Sequence, residues 1–261
     1  MNPLQRALIE KIGHDHGFEH VVNSTPDGVV LASARHAAIA QVLQQPANCY
    51  LLILQAATPA LLPEMQRTFS ITGKGDSFTA ADEAELAALL SRAASLARAL
   101  PNQAVHDFET AVSCQLATIP IGFGNTEIER LVRQRVGQQK FRDAMLDYWG
   151  GACAVTGVAL PEVLRASHTK PWAECSSDSE RLDVFNGFLL VANLDALFDR
   201  FLITFDKTGL LVAANRLSAD SQSRLGLKQG MTLRWLSDAH SRYLAWHREK
   251  WDAENTIGIR R

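Results

Sequence analysis

The fold of the C-terminal half is decided by residues 164–205, LRASHTKPWAECSSDSERLDVFNGFLLVANLDALFDRFLITF. Asn186-Gly187 is a dipeptide typical of tight turns, and Asn193 is a residue type that often caps the start of a helix. With the alternation of apolar and polar residues, these signals predict a strand, a polar loop, a second strand and a helix over 164–169, 174–181, 188–191 and 194–200. The first strand carries His168.

Two acidic residues share one face of the predicted helix. Asp195 and Asp199 are four positions apart, so their side chains lie one turn apart. Two like charges at this spacing cost about 0.2–0.5 kcal/mol in an isolated helix, and a cation between them reverses the sign. Carboxylates are ligands that Mg²⁺ and Mn²⁺ prefer. The alternative for Asp195 is an exposed acid favoured by the helix dipole, whereas the same dipole disfavours Asp199 and so points to function there.

His168 is the only histidine between His106 and His240. A histidine with a pKa near neutrality can take a proton from an attacking water molecule. A single histidine in a strand is, however, more often a core residue with satisfied hydrogen bonds. The residue by itself therefore leaves both interpretations open.

Three ordered blocks in this region resemble the restriction-type branch of the HNH endonucleases. That branch carries the patterns SHxxPW, NGLLL and LDxLFDxGxITF. Here they stand as SHTKPW (167–172), NGFLL (186–190) and LDALFDRFLITF (194–205). The preceding RQRVGQQKFRDAMLDYWGGACAVTG and the later MTLRWLSDAHSRYLAWHR are also similar to that branch, so the resemblance covers about 125–251.

The resemblance implies a ββα-metal fold and a role for each matching residue. His168 takes the position of the general base, and Asn186 that of the asparagine that ties the loop to the strand and orients the histidine. Asp195 and Asp199 take the positions of metal ligands. The implied cofactor is a divalent metal, with Mg²⁺ as the first choice and Mn²⁺ or Ni²⁺ as alternatives.

The chain departs from that pattern at two positions. Ser167 stands where many relatives have an aspartate or histidine ligand, and we expect it to support the site without binding the metal. Phe201 replaces the usual glycine, which is expected to alter the end of the helix without removing a ligand. Further candidates for contacts with the substrate or for shaping the cleft are Arg165, Arg200, Lys170 and Trp172. For the arginines a surface role is the alternative, and for Trp172 core packing is favoured.

Composition excludes several other classes of protein. The chain has 261 residues, of which 47% are hydrophobic and 21% charged, as expected for a globular protein. Its four cysteines form no CxxC pair, so we predict neither a structural zinc site nor a disulfide framework. No apolar stretch is long enough to cross a membrane, and the N-terminus lacks a signal-peptide pattern, which predicts a cytoplasmic location.

The net charge of −2 is compatible with a nuclease, which needs only local positive charge against phosphates, and such charge is clustered in the sequence. A cluster of basic residues in the helical stretch 127–148 comprises Arg130, Arg133, Arg135, Lys140 and Arg142. These side chains are candidates for phosphate contacts, and a solvated helix face is the alternative. Gly137 is expected to interrupt or kink this helix.

Residues 1–120 are predicted to form a separate α+β domain without a catalytic motif. We expect helices over 3–16 and 58–69, strands over 29–32, 38–43 and 49–55, a glycine-bearing loop over 73–77 and an alanine-rich helix ending near 100. Thr79 is the expected N-cap of that last helix. Proline and glycines over 119–125 indicate a domain boundary, so that 121–261 forms the HNH domain with its basic helical lead-in.

The sequence therefore favours a metal-dependent DNA endonuclease of restriction or defence type. Its partner is double-stranded DNA, and a homodimer would supply two active sites for a double-strand cut. The N-terminal domain would recognise DNA or a partner. One alternative is a catalytically inactive DNA-binding or regulatory protein on an HNH scaffold. Another is a secreted toxin nuclease with an immunity partner, against which the missing export signal argues.

Overall fold

The computed structural model describes residues 1–46, 49–56, 58–101, 103–118 and 126–257. They combine helices and strands, which confirms the α+β fold class. The chain divides into two compact units, Met1–Gln103 and Ala104–Arg261. The predicted boundary at 119–125 lies outside the described residues, and the division into domains 1–120 and 121–261 stays a prediction. In the described part of the chain, no helix is long and apolar enough to cross a membrane.

The first unit is an antiparallel sheet packed against helices. Its elements are α1 (Pro3–Asp15), β1 (His20–Ser24), β2 (Val29–Ala32), β3 (Ile39–Gln44), β4 (Tyr50–Gln55), α2 (Leu61–Thr68), β5 (Gly73–Lys74), β6 (Ser77–Ala80) and α3 (Glu83–Ala99). The strand order is β1-β2-β3-β4-β6-β5. Alternate residues of β4, namely Tyr50, Leu52 and Leu54, are buried, because successive side chains of a strand point to opposite faces.

The predicted helices at 3–16 and 58–69 and the three predicted strands of this unit are confirmed, with small shifts at their ends. Two of the other predictions were wrong. Thr79 lies in β6 opposite Leu51, and Asp82 caps α3 instead by accepting a hydrogen bond of 2.8 Å from the Glu85 backbone. Residues 73–77, predicted as a loop, include β5, which pairs with β6. The sequence also gave no sign of β1, because all of its residues are exposed and no buried alternation marks it.

The second unit holds a strand hairpin between helices. Its elements are α4 (Gln103–Ala117), α5 (Thr126–Trp149), β7 (Leu164–His168), α6 (Asp178–Arg181), β8 (Gly187–Val191), α7 (Ala192–Phe198), β9 (Ile203–Phe205), β10 (Leu211–Ala213), α8 (Ala219–Arg224) and α9 (Ser241–Ile257). Strands β7 and β8 pair antiparallel, with His168 opposite Gly187. Helix α7 packs against both strands, and α5 packs against both as well. The two predicted strands and the predicted helix are confirmed with small shifts at their ends, whereas the predicted loop at 174–181 includes the short helix α6.

Helix α5 is not interrupted at Gly137, contrary to the prediction. The glycine has a different reason, which is the close approach of Trp172. A Cβ atom at position 137 would lie 2.1 Å from Cη2 of that indole ring, far inside contact distance. A conformational signal for a kink and a packing requirement look the same in a sequence, because both select glycine.

Two local predictions around the hairpin were also wrong. Asn193 does not cap α7, which begins one residue earlier; its side-chain amide donates to the carbonyl of Leu225 at 2.8 Å. Asn186-Gly187 is not a tight hairpin turn. Asn186 ends a short 3₁₀ turn, and Gly187 is extended with φ 177°. A Cβ atom at Gly187 would lie 2.4 Å from the Ser167 carbonyl oxygen, so this glycine allows close strand pairing.

Candidate active site

His168 lies at the end of β7 with one ring nitrogen engaged and the other available. Its Nε2 lies 2.8 Å from the carbonyl oxygen of Arg181. A carbonyl only accepts hydrogen bonds, so Nε2 carries the proton and Nδ1 is left with its lone pair. Among the described residues, no hydrogen-bond partner of Nδ1 is found. The imidazole therefore has the tautomer that a general base requires.

Burial keeps this imidazole uncharged. The ring stacks on Phe141 of α5, with centroids 3.7 Å apart and planes at 16°. Burial lowers the pKa of His168 to about 4, although the Arg181 carbonyl works in the opposite direction by favouring the charged form. At neutral pH the lone pair of Nδ1 is therefore free to accept a proton.

Asn186 links the loop after β7 to the strands. It is fully buried, and its Oδ1 accepts a 2.8 Å hydrogen bond from the backbone N–H of Lys170. Its Nδ2 donates to the carbonyls of Lys170 and Glu180 at 3.2 and 3.1 Å, and to Cys175 Sγ at 3.3 Å. Because Glu180 precedes Arg181, this amide also holds the carbonyl that orients His168.

The acidic pair stands beside β7. Asp195 lies in α7 and Asp199 just after it, and the buried Ser167 donates from Oγ to Asp199 Oδ1 at 3.1 Å. Desolvation by surrounding protein atoms raises the pKa of both carboxyl groups, and the charge of Asp195 raises that of Asp199 further. Asp199 still exposes much of its residue surface. The pair is thus under electrostatic strain that a nearby cation would relieve.

The donor set suits a hard divalent cation. Two carboxylates offer oxygen atoms only, which matches Mg²⁺ or Mn²⁺, ions that keep several waters and need few protein ligands. In the described ranges, no group of three or more His, Cys, Asp or Glu side chains is arranged to hold a metal. Asp195 and Asp199 could therefore hold such an ion only together with water or substrate oxygens.

The predicted basic residues have mixed surroundings. Arg165 and Arg200 are exposed. Both lie close enough to Asp195 for their positive charges to offset part of the rise in its pKa that desolvation causes. Lys170 instead pairs with Glu180 at 2.8 Å, which ties its ammonium group to the loop.

The structure also brings one residue that the sequence analysis did not single out, His247, together with residues that it did. A cavity of about 310 Å³ is lined by His168, Asp199, Trp172, Phe201 and His247, among others. We call it the His168 cavity. The Trp172 indole meets the His168 ring edge-on at 5.9 Å, so this residue shapes the site and is not only core packing. His247 lies in the segment MTLRWLSDAHSRYLAWHR quoted in the sequence analysis. The only feature of the sequence that could have pointed to it is that it is a histidine within that segment.

The basic cluster of α5 borders a second cavity of about 360 Å³ next to Trp172. Two arginines of the cluster, Arg130 and Arg133, are paired with acids. Arg133 contacts Glu109 at 3.2 Å and Asp178 at 3.0 Å, and Arg130 contacts Glu127 at 2.6 Å. A phosphate would have to compete with these carboxylates, so the positive charge of these two arginines is neutralised within the protein.

Comparison with known families identifies the segment that holds the hairpin and α7. A model of the HNH endonuclease family matches residues 153–206. The match confirms the resemblance to HNH endonucleases for this part of the chain, and its range contains the predicted site residues Arg165, Ser167, His168, Lys170, Asn186, Asp195, Asp199 and Arg200. HNH nucleases generally use a divalent metal and act on DNA. No curated protein matches the chain.

Proposed function

We propose that this protein is a metal-dependent DNA endonuclease, of restriction or defence type, that hydrolyses phosphodiester bonds. The observation that carries the proposal is the neutral His168, whose Nδ1 has no partner among the described residues and whose ring lines the same cavity as Asp199. Each of these groups has an ordinary explanation by itself. Their combination, a buried base with a free lone pair in the same cavity as a carboxylate with a raised pKa, has no such ordinary explanation.

In the proposed mechanism, Nδ1 of His168 takes a proton from a water molecule as its oxygen attacks phosphorus. The P–O bond to the leaving 3′ oxygen breaks, and that oxygen takes a proton from a solvent water molecule; the resulting hydroxide is neutralised by the proton that His168 releases to solvent. The Arg181 carbonyl stabilises the imidazolium by accepting from Nε2–H. A divalent cation held by Asp195 and Asp199 would stabilise the negative charge that grows on the phosphate and the leaving oxygen.

The low pKa of His168 is compatible with this role once DNA is bound. A base with a pKa of about 4 is weak, because efficient proton acceptors have a pKa near the working pH. A phosphate placed in the cavity carries negative charge, which favours the imidazolium and raises the pKa of the base. The substrate therefore increases the basicity of the group that acts on it.

We further propose that the partner is double-stranded DNA and that Arg165 and Arg200 contact its phosphates. Both guanidinium groups are exposed near the acidic pair, as phosphate contacts require. Recognition of sequence or modification would fall to the first unit, and a homodimer would provide the second active site for a double-strand cut. A cytoplasmic location and Mg²⁺ as the ion used stay predictions.

A second candidate is a DNA-binding or regulatory protein on an HNH scaffold without catalysis. What favours it is that the described ranges hold no ready-made set of three metal-ligating side chains. The presence of His168, Asn186, Asp195 and Asp199 together argues against it.

The test is incubation with methylated and unmethylated plasmid in Mg²⁺, Mn²⁺, Ni²⁺ or EDTA. We expect metal-dependent nicking or linearisation that disappears in EDTA and in the double variant Asp195→Asn/Asp199→Asn. The matched control is Asp220→Asn, which neutralises an exposed acid of α8 in the same unit and should cut like the wild type. DNA binding without cleavage in any metal would favour the second candidate.

A further inference from the structure

Phe201 adopts a backbone conformation that glycine normally occupies. Within the described residues it is the non-glycine residue with positive φ, at 53°. Its N–H donates to the Phe198 carbonyl at 3.0 Å, and the next N–H, of Leu202, donates to Leu197 at 2.9 Å. This pair of bonds is the Schellman motif, whose left-handed position usually holds glycine because a Cβ atom crowds the following carbonyl there. The resembling family pattern also has glycine at this place.

The aromatic side chain therefore persists against a steric cost. Its ring lines the His168 cavity together with Asp199 and remains partly exposed. His247 and Trp246 of α9 lie behind it, with ring centroids 4.8 and 6.4 Å away. The ring is thus held in a defined position at the wall of the site. Unfavourable conformations of this kind persist where a side chain is needed for function.

We propose that Phe201 is a substrate-contacting residue, whose ring packs against the deoxynucleotide that flanks the scissile phosphate. The inference rests on the proposed nuclease function. The cavity contains the proposed base and one proposed metal ligand, so a nucleotide that reaches them passes this ring. Aromatic rings bind nucleotides through the flat faces of bases, which requires no particular sequence. Phe201 would therefore contribute to affinity for DNA and not to the choice of site.

The competing explanation is structural. Phe201 could simply close the end of α7, which would keep Asp199 in place. The two explanations differ for Phe201→Gly, because glycine suits the left-handed position better than any other residue. If the ring serves only the helix end, glycine should preserve function. If the ring touches DNA, glycine should lose that contact as completely as alanine does.

The experiment compares Phe201→Gly, Phe201→Ala and Phe201→Tyr in the full chain. Affinity for a short DNA duplex is measured by fluorescence anisotropy in EDTA, and KM is measured with metal. We expect Kd and KM to rise roughly tenfold in both the glycine and the alanine variant, as for loss of one stacked base. The tyrosine variant, which keeps the ring, should stay within about threefold of the wild type.

Thermal unfolding supplies a readout that is independent of DNA. Phe201→Gly should melt about 2–5 °C above Phe201→Ala, because it relieves the left-handed strain that alanine retains. Leu210→Ala, which truncates an apolar residue with 37% exposure in the same unit, is the control and should leave Kd unchanged.

The outcomes separate this inference from the nuclease proposal. Wild-type affinity and KM in Phe201→Gly would overturn the substrate contact while cleavage stands. Equal melting temperatures for the glycine and alanine variants would overturn it as well, because the steric cost would then be absent. A wild-type protein that neither binds nor cuts DNA in any metal would overturn the nuclease proposal, and this inference with it.

Discussion

His168 and His247 line the same cavity from β7 and from α9, and they are similar in almost every respect. Each ring stacks on a phenylalanine, with centroids 3.7 Å apart for Phe141 and 3.9 Å apart for Phe198. Each Nε2 donates to a backbone carbonyl, at 2.8 Å for Arg181 and 3.2 Å for Phe198. Burial lowers the pKa of each to about 4.

The difference between the two histidines is at Nδ1. In His247 this atom accepts a hydrogen bond of 3.0 Å from the hydroxyl of Thr204, so both nitrogens are used within the protein. In His168 no partner of Nδ1 is found among the described residues. Burial and a low pKa therefore do not distinguish the proposed base from a structural histidine, whereas a lone pair available in the cavity shared with Asp199 does.

The largest expected effect is on the rate of cleavage. His168→Ala should lower kcat by about 10²–10⁴-fold while DNA affinity stays within a few-fold, because a general base contributes that much. His247→Ala should instead lower the free energy of unfolding by about 2–4 kcal/mol through lost packing and an unpaired Thr204 hydroxyl. Its kcat, measured well below its melting temperature, should fall less than tenfold. A loss of kcat in His247→Ala as large as in His168→Ala would break the comparison.

The next effect concerns stability as a function of pH. Both histidines have a pKa of about 4 in the folded protein and about 6.5 when unfolded. As the pH falls below 6.5 the unfolded chain binds protons that the folded protein does not, so stability decreases towards pH 4. Between pH 7.5 and 5 each histidine should cost about 2 kcal/mol.

Urea unfolding of the wild type and of His247→Ala at both pH values measures this contribution. Asp195 and Asp199 act in the opposite direction, because their pKa values are raised and acidification relieves them. The difference between the two proteins isolates His247, and we expect the variant to lose about 2 kcal/mol less on acidification. Equal losses would mean that this imidazole is not buried in its neutral form.

The smallest expected effect comes from removing the hydrogen-bond partner of His247 Nδ1, which would leave that atom without a partner as in His168. Thr204→Val removes the hydroxyl that donates to His247 Nδ1, and should lower the free energy of unfolding by about 1 kcal/mol. It should not restore cleavage in a His168→Ala background, because position 204 is buried and the freed lone pair has no access to water. Recovered cleavage in that double variant would show that a free Nδ1 alone is sufficient.

Much of the site was predictable because its pattern is local. Strand β7 with His168 follows from alternation, and Asp195 and Asp199 share a helix face because they are four residues apart. The same local rules failed where a residue serves a distant partner. Gly137 predicts a kink but makes room for Trp172, and Asn193 predicts a helix cap but donates to Leu225. Periodicity carries no information on such contacts.

The partners that define His168 come from far along the chain. Phe141 reaches it from α5, and the Arg181 carbonyl from the end of α6. Likewise, only folding shows that Phe201 points into the cavity from a left-handed backbone position. At the sequence level this residue was no more than a departure from a family pattern.

The sequence alone determined which candidate site residues occur and in what order: a histidine on a strand, an asparagine after a loop, and two acids four residues apart. The tertiary structure decided the protonation and hydrogen bonding of these side chains. His168 is uncharged with Nδ1 available, and the pKa values of Asp195 and Asp199 are raised. The reason is physical. Residue identity and spacing are local properties of a chain, whereas desolvation and hydrogen-bond partners depend on atoms that only folding brings together.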